Sequence, residues 1–225
     1  NYVILVEMEV TESCIEVVGD SLFKMEIVFD EMSSSMTMND NLRPNTFDEA
    51  FKGQTISYEV DKFGEVSKVK ARSYIEGWRQ FGETVNMVIA GFYPSLPDKA
   101  VKLGEKWNEE KTENPDDDPG LEVTSKISYK FMEMKNEKGK DCARIESESE
   151  STFAGIITNS YGKFNTNGSS KSKSEYYFNP AGGGIVKFRA KTETDAKMKK
   201  EAASPGEKDE EHETHMSYEI KKELK

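Results

Sequence analysis

Apolar and polar side chains alternate with a period of two through most of this 225-residue chain. Successive side chains of a strand point to opposite faces, so this pattern restricts the chain to β-strands that bury one side. Tyr2, Ile4, Val6, Met8 and Val10 face one way, with Glu7 and Glu9 on the other. Phe23, Met25, Ile27 and Phe29 alternate with Lys24, Glu26 and Asp30. Ile56, Tyr58 and Val60 make a third strand, the turn Asp61-Lys62-Phe63-Gly64 follows, and Glu65 to Lys70 returns. Val123, Ile127, Tyr129 and Phe131 lead to Lys138-Gly139, after which Ala143, Ile145 and Phe153 oppose Arg144, Glu146, Glu148 and Glu150. Ile156 to Phe164 reads as a further strand ended by an Asn167-Gly168 turn. Tyr176 and Phe178 precede the turn Asn179 to Gly184, and Ile185 to Thr194 returns. The last strand carries His212, Thr214, Met216, Tyr218 and Ile220 on one face. Asn39 to Pro44 and Asn114 to Gly120 are loops by composition, and residues 195–211 a charged, solvated tract.

One stretch breaks the pattern. Ser73 and Glu76 form a capping box, and Tyr74, Ile75, Trp78, Phe81, Val85, Val88 and Ile89 recur at spacings of three and four. This predicts one amphipathic helix over about 74–90, with Gly91 at its end and Pro94 blocking continuation. A lone amphipathic helix must bury its stripe, and the inward faces of the strands are the apolar surface available. The expected fold is therefore mainly β (α+β): a curved antiparallel sheet with the helix packed on it.

An internal echo suggests how the sheet is assembled. Tyr58-x-Val60-Asp61…Gly64-x-Val66 is answered, about 118 residues later, by Tyr176-x-Phe178-Asn179…Gly184-x-Val186. The expectation is one domain of two related β halves, residues 1–70 and 121–225, joined by a helix and connector over 71–120. Cys14 and Cys142 fit either one disulfide or two thiols.

Composition narrows the function. Hydrophobic residues are only 35% of the chain and charged ones 32%, which suits a thin sheet with one wet face. The net charge of −11 argues against nucleic acid and against an anionic membrane surface. No apolar run reaches 18 residues, so no transmembrane helix is expected. The chain opens on Asn1-Tyr2-Val3-Ile4, already within an alternating pattern, and is expected to be a processed or truncated form lacking its signal peptide.

Catalytic patterns are few and incomplete. Gly19-Asp20-Ser21-Leu22 with Asp209-x-x-His212 resembles the GDSL esterase family, in which Ser21 would be nucleophile, His212 base and Asp209 its orienter. That family is α/β with a helix after its serine, whereas Leu22 to Asp30 alternates as a strand. His212 and His215 stand three apart on a strand and point to opposite faces, and Asn114 to Asp118 lacks the glycine and the glutamate of a calcium loop. No catalytic residue, metal site or cofactor is expected. A gap beneath the helix, lined by Phe23, Met25, Ile27, Ile56, Tyr58, Trp78 and Phe81, would suit an acyl chain or another apolar molecule.

The segment Phe92-Tyr93-Pro94-Ser95-Leu96-Pro97-Asp98-Lys99-Ala100-Val101-Lys102-Leu103-Gly104-Glu105-Lys106-Trp107 resembles the connector of a family of bacterial secreted proteins, many of them lipoproteins, defined by a domain of unknown function. That family's connector reads Phe-Pro, then Pro-x-x-Val-Lys-x-Gly-x-x-Trp; here Ala100 takes the place of a more usual proline. The resemblance implies an antiparallel β fold and a cell-envelope location, and brings no catalytic residues with it. The expected function is non-catalytic binding or scaffolding in the bacterial envelope, with an envelope protein or an apolar small molecule as partner. A carrier of an apolar ligand is the alternative, and a GDSL-like esterase a second one.

Overall fold

The computed structural model describes residues 2–19, 21–38, 41–43, 51–71, 89–114, 120–159, 162–200 and 210–224. Their strands form one open, mixed sheet. In chain order these are β1 (Tyr2–Val18), β2 (Leu22–Met38), β3 (Asn41–Arg43), β4 (Thr55–Asp61), β5 (Val66–Ala71), β6 (Lys106–Glu113), β7 (Leu121–Glu137), β8 (Lys140–Asn159), β9 (Gly162–Asn179), β10 (Gly184–Lys200) and β11 (Glu210–Leu224). The spatial order is β5-β4-β2-β1-β11-β10-β9-β8-β7-β6, with β3 beside β2. Every described pairing is antiparallel except β1 with β11, which run parallel from Tyr2↔Met216 to Val10↔Leu224. The N- and C-terminal strands thus meet in the middle of the sheet.

Turn chemistry explains several reversals. Lys138 (φ 51°) and Gly139 (φ 78°) both take positive φ, as a two-residue type I′ hairpin requires. Asp61 Oδ1 accepts the backbone N–H groups of Phe63 (2.9 Å) and Glu65 (2.8 Å), and Gly64 completes that turn at φ 89°.

Four sequence expectations need correction. Residues 41–43 are a strand rather than loop, and 195–200 and 210–211 belong to β10 and β11 rather than to a solvated excursion. Ile156 begins no separate strand, because β8 runs on to Asn159. Asn167-Gly168 is no turn but lies inside β9. Its glycine is needed for packing: a Cβ at Gly168 would stand 2.4 Å from the Phe153 ring on β8 and 2.3 Å from the Asp195 carbonyl oxygen. A close approach across strands imitates a turn signal when only sequence is read.

The inner face holds the core at the end of the sheet where the β4–β5, β7–β8 and β9–β10 turns lie. Val10, Ile27, Ile56, Ile145, Ile185 and Phe188 are buried there, together with Phe51, Ile89 and Phe92 from outside the sheet. Further along β8–β10 the same face turns to hydroxyls, in the rows Ser149–Ser172–Thr192 and Ser151–Ser170–Thr194. Thr192 and Thr194 donate to Ser172 (2.9 Å) and Ser170 (3.0 Å). The outer face is a lattice of cross-strand charges, including Glu148–Lys173, Lys197–Glu213 and Glu7–Lys221. These alternating signs account for the high charged fraction and keep the wet face soluble.

The helix expected over 74–90 lies outside the described residues except at its end, where 89–91 are helical. The chain leaves that turn through Phe92 N–H to Ile89 O (3.1 Å) and Tyr93 N–H to Ala90 O (3.4 Å). Cys14 is an exposed free thiol and Cys142 a buried one, which decides the disulfide alternative in favour of thiols.

Candidate functional site

Five of the residues expected to line a ligand gap lie together on the inner face. Phe23, Met25 and Ile27 come from β2, Ile56 and Tyr58 from β4, and the register sets Met25 beside Tyr58 and Ile27 beside Ile56. Met25, Ile27, Ile56 and Tyr58 are buried, and Phe23 packs against them half-exposed. Trp78 and Phe81 lie outside the described residues.

The patch is covered by the protein's own aromatic side chains. Phe51 meets Phe29 edge-on with ring centres 5.9 Å apart, and Phe92 meets Phe188 at 5.5 Å. Tyr93 lies 6.2 Å from Tyr58. These three covering residues come from the segments before β4 and after the helical turn at 89–91.

Beneath this cover sits a buried polar cluster. Glu12 Oε1 accepts hydrogen bonds from the Tyr58 hydroxyl, the Tyr93 hydroxyl (2.9 Å) and Lys222 Nζ (3.0 Å). The two tyrosine hydroxyls are 3.0 Å apart. The side chain of Lys222 is 0% exposed and that of Glu12 3%; Tyr58 and Tyr93 are 2% and 7% exposed. The Lys222 ammonium also lies 4.5 Å from the centre of the Phe92 ring and 5.7 Å from that of Tyr93. Burial pushes the Lys222 pKa down against the raising effect of Glu12, and burial followed by the Glu12 charge pushes Tyr58 and Tyr93 well above the ordinary phenol value. The ion pair is joined to both tyrosines through one Glu12 oxygen and sealed from solvent, which suits holding elements together rather than proton transfer to a substrate.

Sequence reasoning missed Glu12, Tyr93 and Lys222. A signal was there. Glu12 continues the apolar face of β1 after Met8 and Val10, and Lys222 continues that of β11 after Tyr218 and Ile220. Opposite charges at the ends of two apolar alternations mark a buried pair, since a lone charge there would be too costly.

The connector is bound to both sides of the sheet. Pro94 carbonyl oxygen is 2.4 Å from where a Cβ on Gly64 would stand, and Leu96 N–H donates to Phe63 O (2.7 Å) in the β4–β5 turn. At the other edge Trp107 stacks on Tyr129 at 5.3 Å and donates its indole N–H to Ser95 O (2.7 Å).

The residues of the esterase alternative are not brought together. Ser21 occupies the β1–β2 turn, and His212 lies near the start of β11 at the opposite end of the sheet. The registers separate them by about 20 residue steps, or roughly 65 Å of strand at ~3.3 Å per step. Asp209 is outside the described residues. His215 instead bonds Asp195 on β10 (2.7 Å), with Ser169 on the far side of Asp195. A hydrolytic triad needs its histidine between serine and carboxylate, and here the carboxylate is in the middle.

Past Val10, β1 continues to Val18 with no described strand on the β11 side. Ile15 and Val17 there are each 57% exposed, and Val18 beside them is exposed as well. The outer strands are better guarded. β6 carries the charged residues Lys106, Glu109, Glu110, Lys111 and Glu113, and β5 is bent by Lys68 at φ 53°.

Fold and site together define an open β-sheet protein with a sealed aromatic core and a buried ion pair at its central seam. Comparison of the chain with family models, with curated proteins and with solved structures gave no match.

Proposed function

We propose that this protein is a non-catalytic binding or scaffolding domain of the bacterial cell envelope whose interior is filled by its own side chains. One observation carries this reading: the apolar patch of Phe23, Met25, Ile27, Ile56 and Tyr58 belongs to one continuous core cluster with Phe51, Phe92 and Tyr93, and Tyr93 lies against Tyr58. A carrier of acyl chains needs an apolar cavity of at least about 300 Å³ at that place.

Finer features belong to the same proposal. The helix over 74–90 extends the cover that Ile89, Phe92 and Tyr93 begin. The two halves are related through equivalent hairpins, since Tyr58 and Tyr176 are both buried on the inner face just before turns at the same end of the sheet. The connector that resembles a secreted bacterial family supplies the envelope location. Its Phe92, Pro94 and Trp107 sit where the two halves are tied, so the resemblance concerns residues that hold the fold. Partner binding falls to the exposed β1 residues Ile15, Val17 and Val18.

Native mass spectrometry of protein purified from a bacterial host without detergent tests the reading. A single species at the mass of the bare chain is expected. A co-purified lipid, released only on unfolding, would overturn it in favour of the carrier.

A further inference from the structure

We propose that the buried Glu12–Lys222 pair is a register lock for the parallel seam between β1 and β11. The nearest-neighbour hairpins β1–β2, β7–β8, β8–β9 and β9–β10 have their registers set by short connections. The seam has no such help, because its strands are about 200 residues apart in sequence. Nor does its apolar face choose a register. Tyr2, Ile4, Val6, Met8 and Val10 meet Met216, Tyr218, Ile220, Lys222 and Leu224, and a slip of two residues keeps the inner face inward in every pair. The outer face fixes it only in part: Lys221 bonds Glu7 (2.6 Å), and a slip of two brings it beside Glu9 in one direction and beside Leu5 in the other.

Lys222 is the exception. Its backbone is level with Met8, four residues before Glu12, so both side chains must extend along the strand direction to meet at 3.0 Å. A slip of two residues moves Nζ by roughly 6.6 Å. In one direction the ammonium is stranded out of reach of the carboxylate. In the other it is displaced by the same distance from the Phe92 ring that now lies 4.5 Å away. Either way a sealed charge loses its partners, which polar groups in a dry interior do not tolerate. A single polar contact inside an apolar seam fixing register has a parallel in coiled coils. Tyr93 joins the same carboxylate, so the lock also sets where the connector crosses the seam.

Disulfide trapping reads the register directly, in a background of Cys14→Ser and Cys142→Ala. Val3→Cys with Ser217→Cys reports the native alignment, and Val3→Cys with Glu219→Cys or His215→Cys reports slips of two. With the ion pair intact, only the native combination should cross-link. In Glu12→Leu/Lys222→Met a slipped combination should reach at least about a tenth of the native yield. Tyr58→Phe/Tyr93→Phe, which keeps the ion pair, should cross-link in the native alignment alone. Native-only trapping in the Leu/Met variant would overturn the proposal, as would failure of that variant to fold, since the pair would then serve stability rather than register. Slipped products in the Phe/Phe variant would overturn it too.

Discussion

Replacing Glu12 by Gln tests the energetics of the buried cluster. Glu12 receives three hydrogen bonds on one oxygen and is, among the described residues, the only ionic partner of a lysine that solvent does not reach. Gln keeps the shape but removes the charge. Breaking a buried pair by losing one partner costs about 3–5 kcal/mol, because the remaining charge is uncompensated. At about 2–4 °C per kcal/mol for a chain of this size, the midpoint should fall by roughly 6–20 °C. The loss should also depend on pH in a defined sense. Burial already lowers the Lys222 pKa, and removing Glu12 takes away the main opposing influence. The unfolded chain then holds the lysine proton up to the ordinary value near 10.5 while the folded one gives it up earlier, so stability of the variant rises with pH across that window. Thermal and urea unfolding followed by circular dichroism at pH 7 and pH 9 measures both effects. Lys173→Ala, which breaks a pair with Glu148 that is mostly in solvent at both ends, is the control and should not shift the midpoint measurably. A Glu12→Gln loss below about 1 kcal/mol at pH 7, or a loss that grows towards pH 9, would refute the reasoning.

The buried tyrosines predict an alkaline limit. Tyr58, Tyr93, Tyr129 and Tyr176 all have raised pKa values, with burial the first cause in each. Their contribution is complete below the ordinary value near 10 and is lost as pH rises through the folded values; absorbance at 295 nm should show part of the nine tyrosines ionising only as the sheet unfolds, and smooth titration of all nine near pH 10 would contradict this. Gly64→Ala should lower stability by about 1–3 kcal/mol in urea, since the Cβ would meet the Pro94 carbonyl at 2.4 Å in a backbone already at φ 89°. A neutral result would show that the connector can move off the β4–β5 turn. Lys138→Asn should raise the midpoint by the equivalent of about 0.5–1 kcal/mol, because Asn tolerates φ 51° better than Lys in a type I′ turn.

Strand identity was readable wherever one face is apolar and the other charged. The inward sides of β1, β2, β4 and β10 follow directly from residues such as Met25, Ile27, Ile56 and Phe188. Strand length was not readable, because in the hydroxyl rows of β8–β10 Ser and Thr take the place of apolar residues on the inner face, opposite a charged wet face. There the periodicity that marks a buried side vanishes while pairing continues. Gly168 misled for a related reason, as contact with Phe153 from a neighbouring strand leaves no mark in local sequence. The Phe23 to Tyr58 patch was found from alternation, but the residues that cover it were not. Phe51 lies in no alternating run, and Phe92 and Tyr93 read as connector in sequence, so their burial depends on long-range contacts no window contains. The parallel seam was out of reach for the same reason, with Val6 and Ile220 paired from opposite ends of the chain.

The seam is also where the account is most directly tested. In isotope-labelled protein, nuclear Overhauser contacts between backbone protons of β1 and β11 report their pairing without substitution. The structure predicts contacts of a parallel ladder at Ile4 with Tyr218, Val6 with Ile220 and Met8 with Lys222. Contacts from β1 to β2 alone, or an antiparallel pattern between β1 and β11, would contradict a single sheet joined at its terminal strands.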